Sequence, residues 1–197
     1  NTIAVTVDEL IPLTRAVVRG SKRALVVADL PFGSYESSPE QALSTSTRFF
    51  KEAGAMAVKL EGAHLATVEK LTAAGIPVMG HLGLTPQSLH QLGGYRVQGR
   101  TDGDAIVEAA IALEKAGAFA IVLELVPADL AARISKALTV PTIGIGAGTD
   151  CDAQVLVWTD MAGLTANPPK LAKAYRNLRK ELMGAAQEFA EEVRSGK

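Results

Sequence analysis

The sequence predicts a parallel α/β fold with right-handed crossovers, and three observations carry that prediction. Six short runs rich in Val, Ile and Leu recur along the chain. They read as near-continuous apolar segments, the pattern of parallel strands covered on both faces. Helical segments separate most of them, and "KEAGA", "LTAAGIP" and "EKAGA" each close a helix on a glycine just before the next run.

In chain order, "ALVVADL" (24–30) is the first strand. The helix "SPEQALSTSTRFFKEAGA" follows, with Ser38 as N-cap, Pro39 at its first position and Gly54 as its stop. "AMAVKLE" (55–61) is the second strand, "HLATVEKLTAAG" the next helix and "IPVMGHL" (76–82) the third strand. The long connection "TPQSLHQLGGYRVQGRTDG" (85–103) reads either as a short helix with a surface loop or as a lid over a site. "TDGDAIVEAAIALEKAGA" then leads to the strand "FAIVLEL" (119–125), and "PADLAARISKAL" to the strand "VPTIGIG" (140–146). Fewer than ten residues, beginning at Ala147, connect this strand to the sixth, "AQVLVWTD" (153–160). That is fewer than the dozen or so a helical crossover takes, so a loop or single turn is expected. The tail from Pro168 to Lys197 places Leu171, Ala174, Leu178, Leu182, Ala185 and Phe189 at helical spacing, an amphipathic region that needs a surface to pack on.

With 197 residues, 48% hydrophobic and 21% charged, the chain can bury a substantial core and reads as one domain over 1–197. Its 20 basic and 21 acidic residues leave a charge of −1, no electrostatic footprint for nucleic acid or an anionic membrane, which favours small-molecule chemistry. No apolar run approaches the roughly 20 residues of a bilayer span, and "NTIAVTVDEL" lacks the regions of a signal peptide. Cys151 is the only cysteine, which excludes an internal disulfide and suits a reducing cytoplasm. No histidine adjoins it in sequence, so it has little support as a nucleophile.

The polar residues fall at one recurring position. Asp29 lies near the end of the first strand, Lys59 and Glu61 at the end of the second, His81 late in the third and Glu124 late in the fourth. In α/β folds ligands bind outside the carboxyl ends of the strands, so this edge suits a metal-dependent or acid/base site. Within "AVKLEG" (57–62), Lys59 and Glu61 stand two apart and so share one face of an extended strand. They either close a structural ion pair or open onto a polar site. "GIGAG" (144–148) could cradle a phosphate but lacks the full G-x-G-x-x-G spacing. His64 and His90 have no carboxylate or cysteine at ligand spacing and read as surface residues.

The segments "VVADLPFGSY" (26–35), "AVKLEG" (57–62), "HLGLTPQS" (81–88), "GGYRVQG" (93–99), "LELVP" (123–127), "PTIGIGAG" (141–148) and "CDAQVLVWTDM" (151–161) closely resemble those of the ketopantoate hydroxymethyltransferase family. The resemblance runs in order over nearly the whole chain. It implies a (βα)₈ TIM barrel that transfers a hydroxymethyl group from methylenetetrahydrofolate to ketoisovalerate, using Mg²⁺, on the route to pantothenate and coenzyme A. It also implies a cytoplasmic homo-oligomer, often a decamer in this family.

Carried over by motif, Asp29 would bind the metal and adjoin the substrate, and Glu61 would hold the metal, partly through water. Lys59 would bind the substrate's oxygens and His81 would hydrogen-bond nearby. Glu124 of "LELVP" would be the base that takes the proton α to the keto group.

The chain departs from the family at its start. It offers about six of the eight barrel strands, and the strand ending in Gly-Asp-Ser that the family carries before "VDELIPL" is not found, so two N-terminal βα units and one metal-binding Asp are expected to be missing. Two other readings compete. One is a Mg-dependent barrel lyase or mutase of the phosphoenolpyruvate-mutase and isocitrate-lyase type, against which "TPQS" and "GGYRVQG" speak. The other is an inactive barrel fragment serving as scaffold.

Overall fold

The computed structural model describes residues 2–197. The chain divides into two compact units, residues 1–154 and Val155–Lys197.

The first unit holds one six-stranded sheet with strands in sequence order. These are β1 (Val27–Asp29), β2 (Ala57–Lys59), β3 (Val78–Gly83), β4 (Ala120–Glu124), β5 (Thr142–Ile145) and β6 (Ala153–Gln154), and every neighbouring pair is parallel. Each connection therefore steps one strand over in the same direction. That is the winding of a singly wound barrel, whereas doubly wound sheets reverse strand order partway.

After a 3₁₀ turn at Thr2–Ala4 comes α1 (Val7–Gly20), which the strand-centred reading of the sequence does not contain. Its signal is a capping box. Thr6 Oγ1 accepts the Glu9 N–H at 3.2 Å, and Glu9 Oε2 accepts the Thr6 N–H at 2.9 Å. Two otherwise orphaned donors are thereby satisfied at once. Helix α2 (Pro39–Arg48) starts as its sequence predicts, with Ser38 accepting the Gln41 N–H and Pro39 in the first turn. It continues as a π-turn over Phe49–Ala53 and ends at Gly54, whose φ of 77° is the left-handed conformation that stops a helix. Helices α3 (Leu65–Ala73), α5 (Gly103–Lys115) and α6 (Ala128–Ala137) fill the following crossovers, and a short α4 (Leu89–Leu92) lies in the connection after β3.

The sheet's two faces differ. Val58, Val78, Ile121 and Leu123 are fully buried in one core with Leu71 of α3, Leu113 of α5 and Ile134 of α6. Full burial of each such side chain contributes about 1.5–3 kcal/mol. Gly80 lets α5 approach, since a Cβ there would lie 3.1 Å from Leu113 Cδ1. Side chains alternate along a strand and parallel partners share a face. The residues between those core positions, Lys59, His81, Val122 and Glu124, therefore point the other way.

Two expectations are corrected. The sixth strand covers two residues instead of eight; Val155 to Val157 have no regular structure, and α7 (Trp158–Met161) takes the last three residues of "AQVLVWTD" and Met161. Val155, Val157 and Trp158 are exposed, so no second layer holds this apolar run extended. In the second unit the helix α8 (Leu178–Ser195) begins ten residues after Pro168, where Asn177 caps it by accepting the Lys180 N–H. Leu171 and Ala174 thus precede the helix, while Leu182 and Phe189 are exposed along it. No helix among the described residues is long and apolar enough to cross a membrane.

Candidate active site

The register brings the strand-end residues together. Asp29 pairs with Lys59 across β1 and β2, and His81 pairs with Val122 across β3 and β4, two positions before the Gly83–Glu124 pair and so on the same face. Four side chains then form a line. Lys59 Nζ lies 2.7 Å from Asp29 Oδ1 and 3.1 Å from His81 Nδ1, and His81 Nε2 lies 3.3 Å from Glu124 Oε2. Exposure falls along it, from a half-exposed Asp29 through Lys59 to a His81 side chain that is 4% exposed.

This order fixes the histidine tautomer. A lysine ammonium donates only, so Nδ1 must accept from Lys59 and the proton of a neutral ring sits on Nε2, facing Glu124. The Nε2–Glu124 contact is close enough for an ion pair but off the line of a hydrogen bond, and Nε2 is a buried atom with no hydrogen-bond partner. A buried donor left without a partner costs about 1–3 kcal/mol, and the nearest acceptor to this one is Glu124 Oε2.

Glu61 sits apart from the line, 6% exposed. Burial pushes its carboxyl above the ordinary value, opposed by the Gln87 N–H and by the charge of Lys59. Gln87, in the 3₁₀ turn Pro86–Ser88 after β3, donates this N–H to Glu61 Oε2 at 2.8 Å. Its side chain donates to the Leu30 carbonyl at 2.8 Å and accepts from Tyr35 Oη at 2.6 Å. Burial also drives the Tyr35 phenol well above its usual value, so it stays a donor.

Backbone geometry sets Glu124. Leu125, the next residue, has φ of 47°, the one non-glycine residue with positive φ among those described. Its N–H donates to the Ile145 carbonyl and its carbonyl accepts the Gln98 N–H, both at 2.9 Å, which holds the turn. A left-handed leucine is uncommon and persists only where its surroundings impose it. Across from it, Gly83 has φ of 91°, and a Cβ there would fall 2.2 Å from the Glu124 carbonyl oxygen. Only glycine permits this approach. Sequence reasoning found Glu124 but not these supports, nor Tyr35 and Gln87. "PFGSY", "HLGL", "TPQS" and "LELVP" carry them without periodicity to betray them.

The other candidates do not join this cluster. His90 is exposed, and His64 packs its half-buried ring edge-on against Tyr35. Cys151 is buried beneath Gly144. In "GIGAG", a Cβ at Gly148 would meet Ala128 Cβ at 2.5 Å, so this glycine serves close packing against the start of α6. Within 85–103 the structure has the 3₁₀ turn, α4 and a mostly exposed loop. A cleft of about 640 Å³ beside that loop is lined by Gly99, Asp102, Leu130 and Arg133, among others, and holds none of the five site residues.

Magnesium is held by oxygen donors, commonly one or two carboxylates with waters and substrate completing the shell. Asp29 and Glu61 fit that share, one carboxylate at the exposed end of the line and one buried beside it. No group of three or more His, Cys, Asp or Glu able to hold a metal is found among the described residues.

The profile of ketopantoate hydroxymethyltransferase matches residues 1–197. The 3-methyl-2-oxobutanoate hydroxymethyltransferase of Frankia alni is 64% identical over 99% of this chain and 66% of its own length. The enzyme of that name from Thermobifida fusca is 62% identical over all of this chain and 71% of its own. The chain thus spans about two thirds of the length of these relatives. Among solved structures, phosphoenolpyruvate phosphomutase from Streptomyces platensis subsp. rosaceus superposes with a TM-score of 0.58 at 16% identity, covering 100% of this chain and 70% of that one. Phosphonopyruvate hydrolase in complex with oxalate and Mg²⁺ gives 0.56 at 19% identity, covering 99% and 69%. These likenesses show an α/β fold of the barrel kind.

Proposed function

The chain belongs to the ketopantoate hydroxymethyltransferase family, a family of transferases, and from that premise we propose that it moves a hydroxymethyl group from methylenetetrahydrofolate to ketoisovalerate (3-methyl-2-oxobutanoate). The product would be ketopantoate, for pantothenate and coenzyme A. The observation that carries the reading is the line Asp29–Lys59–His81–Glu124, four strand ends converging on one face with Glu61 beside them.

The chemistry needs a base beside a centre of positive charge. Ketoisovalerate resists loss of its proton α to the keto group unless the charge that develops on the keto oxygen is stabilised. Lys59 supplies fixed positive charge at the substrate's oxygens, held in place by Asp29 and His81. Glu124 takes the proton, and the neighbouring His81 Nε2–H stabilises its carboxylate before transfer. The enolate carbon bonds to the one-carbon unit of methylenetetrahydrofolate and water supplies the hydroxyl; both C–N bonds to the folate break, and tetrahydrofolate leaves with one proton from water and the one that Glu124 took. Asp29 and Glu61 would hold Mg²⁺, which when bound supplies Lewis-acid polarisation of the adjacent carboxylate and keto oxygens. Support for the metal comes from the two oxygen donors and from the fold-mate that binds oxalate with Mg²⁺.

We further read residues 1–197 as a single domain ending in the helix α8 (Leu178–Ser195), belonging to an eight-stranded (βα)₈ barrel in a cytoplasmic homo-oligomer. The mutase and lyase reading has only the fold in its favour, at identities below 20% for the two neighbours described, against relatives above 60%. The direct test incubates the full-length protein with ketoisovalerate, methylenetetrahydrofolate and Mg²⁺ and follows ketopantoate by ¹³C NMR. Its accumulation, dependent on both substrates, is expected. No product under these conditions would overturn the reading.

A further inference from the structure

We propose that Gln87 and Tyr35 are positioning residues that set the distance between the Asp29 and Glu61 carboxylates and so determine how tightly the protein binds its divalent cation. The inference rests on the metal reading given above.

Gln87 touches both strand ends at once. Its backbone N–H engages Glu61 Oε2, two residues past β2, while its Nε2 donates to the carbonyl of Leu30, the residue directly after β1. Tyr35 closes the arrangement. Its hydroxyl donates to Gln87 Oε1 at 2.6 Å and accepts the Glu61 backbone N–H at 3.2 Å. Three separate segments are thus tied by four hydrogen bonds: the loop after β1, the end of β2 and the turn after β3. Tyr35 is 2% exposed and Gln87 8%, so these bonds form with little competition from water.

The geometry has a direction. Gln87 occupies Oε2 of Glu61, which leaves Oε1 as the oxygen for an ion or its water. An amide side chain is suited to this place because it offers a donor to the Leu30 carbonyl and an acceptor to the phenol at the same time. Groups that orient metal ligands in this way commonly change metal affinity by about 10–100-fold when removed. Neither side chain needs to touch the ion.

The test uses full-length protein and Mn²⁺ as a paramagnetic probe, its binding followed by water-proton relaxation and competed with Mg²⁺. Two variants are compared with the parent. Tyr35→Phe keeps the buried ring and its packing on His64 while removing the hydroxyl, and Gln87→Met keeps the length of the side chain while removing both polar atoms. Dissociation constants for Mn²⁺ are expected to rise about 5-fold in the first and at least about 10-fold in the second. The Mg²⁺ concentration for half-maximal exchange of the ketoisovalerate α-hydrogen should rise in parallel, with the rate at saturating metal within twofold of the parent. A merely structural role would lower the melting temperature and leave the Mn²⁺ constant of the folded protein where it was. If the parent binds Mn²⁺ and Tyr35→Phe binds it equally well, the inference is wrong. A parent that binds no Mn²⁺ would overturn the metal reading itself and this inference with it.

Discussion

The two ends of the sheet use carboxylates in opposite ways. At the end where chains enter the strands, Glu114 of α5 is saturated. Its Oε1 accepts the Thr139 N–H at 2.6 Å, the Thr139 hydroxyl at 2.8 Å and the Val140 N–H at 2.9 Å, which pins the approach to β5. Asp152 does the same for Thr142, accepting both its N–H and its hydroxyl. These bonds hold both carboxyls below their ordinary values. At the exit end, Glu124 faces a histidine nitrogen with no hydrogen bond made, Glu61 is pushed up by burial, and Leu125 is held left-handed. Satisfied carboxylates hold the fold together. Underbonded ones, kept in place by a strained backbone, are what a reaction can use, the division of labour familiar between the two ends of barrel strands.

The contrast can be broken first at Gly83. Gly83→Ala demands a left-handed alanine and sets its Cβ against the Glu124 carbonyl, so a loss of at least about 3 kcal/mol is expected in chemical denaturation, together with loss of activity. Stability within about 0.5 kcal/mol of the parent would mean that the close approach at the exit end is not a constraint.

Lys59→Met is next. It removes the charge that joins Asp29 to His81 and should lower kcat/KM for ketoisovalerate by at least about 100-fold while leaving melting close to the parent. A variant that melts far below the parent would make Lys59 a structural residue instead.

The smallest effect belongs to the entrance end. Glu114→Gln should leave activity alone and cost no more than about 1 kcal/mol, since this carboxylate is solvent-screened. The pH dependence has a definite sign. Because the folded-state value is depressed, the parent's advantage is present above the ordinary 4.5 and fades as pH falls through the lower folded value. Melting curves of parent and variant should therefore differ at pH 7 and converge in acid. A gap that widens on acidification would contradict the assignment.

Much of this division was legible in the sequence. The glycine stops and β-branched runs located all six strands, because parallel strands between helices leave a dense apolar record. Asp29, Lys59, Glu61, His81 and Glu124 stood out because charge at the end of such a run is expensive without a purpose. What stayed hidden has no periodic signature. Tyr35 and Gln87 sit in loops, and their importance lies in pairings 52 residues apart. The left-handed Leu125 is invisible because nothing in leucine's chemistry announces it. Beyond Gln154 the apolar run misled, since exposed Val155 and Val157 show that β-branched residues do not make a strand without a layer to cover them.

The most direct test of Glu124 as the base is exchange of the ketoisovalerate α-hydrogen into deuterated solvent, which needs no folate. In the full-length protein, Glu124→Gln keeps the size of the side chain and removes its basicity. With Mg²⁺ and ketoisovalerate binding retained, exchange should fall at least about 100-fold below the parent. Exchange at the parent rate would contradict the role given to Glu124 and turn attention to His81, which would first have to give up its contact with Lys59 or its Nε2 proton.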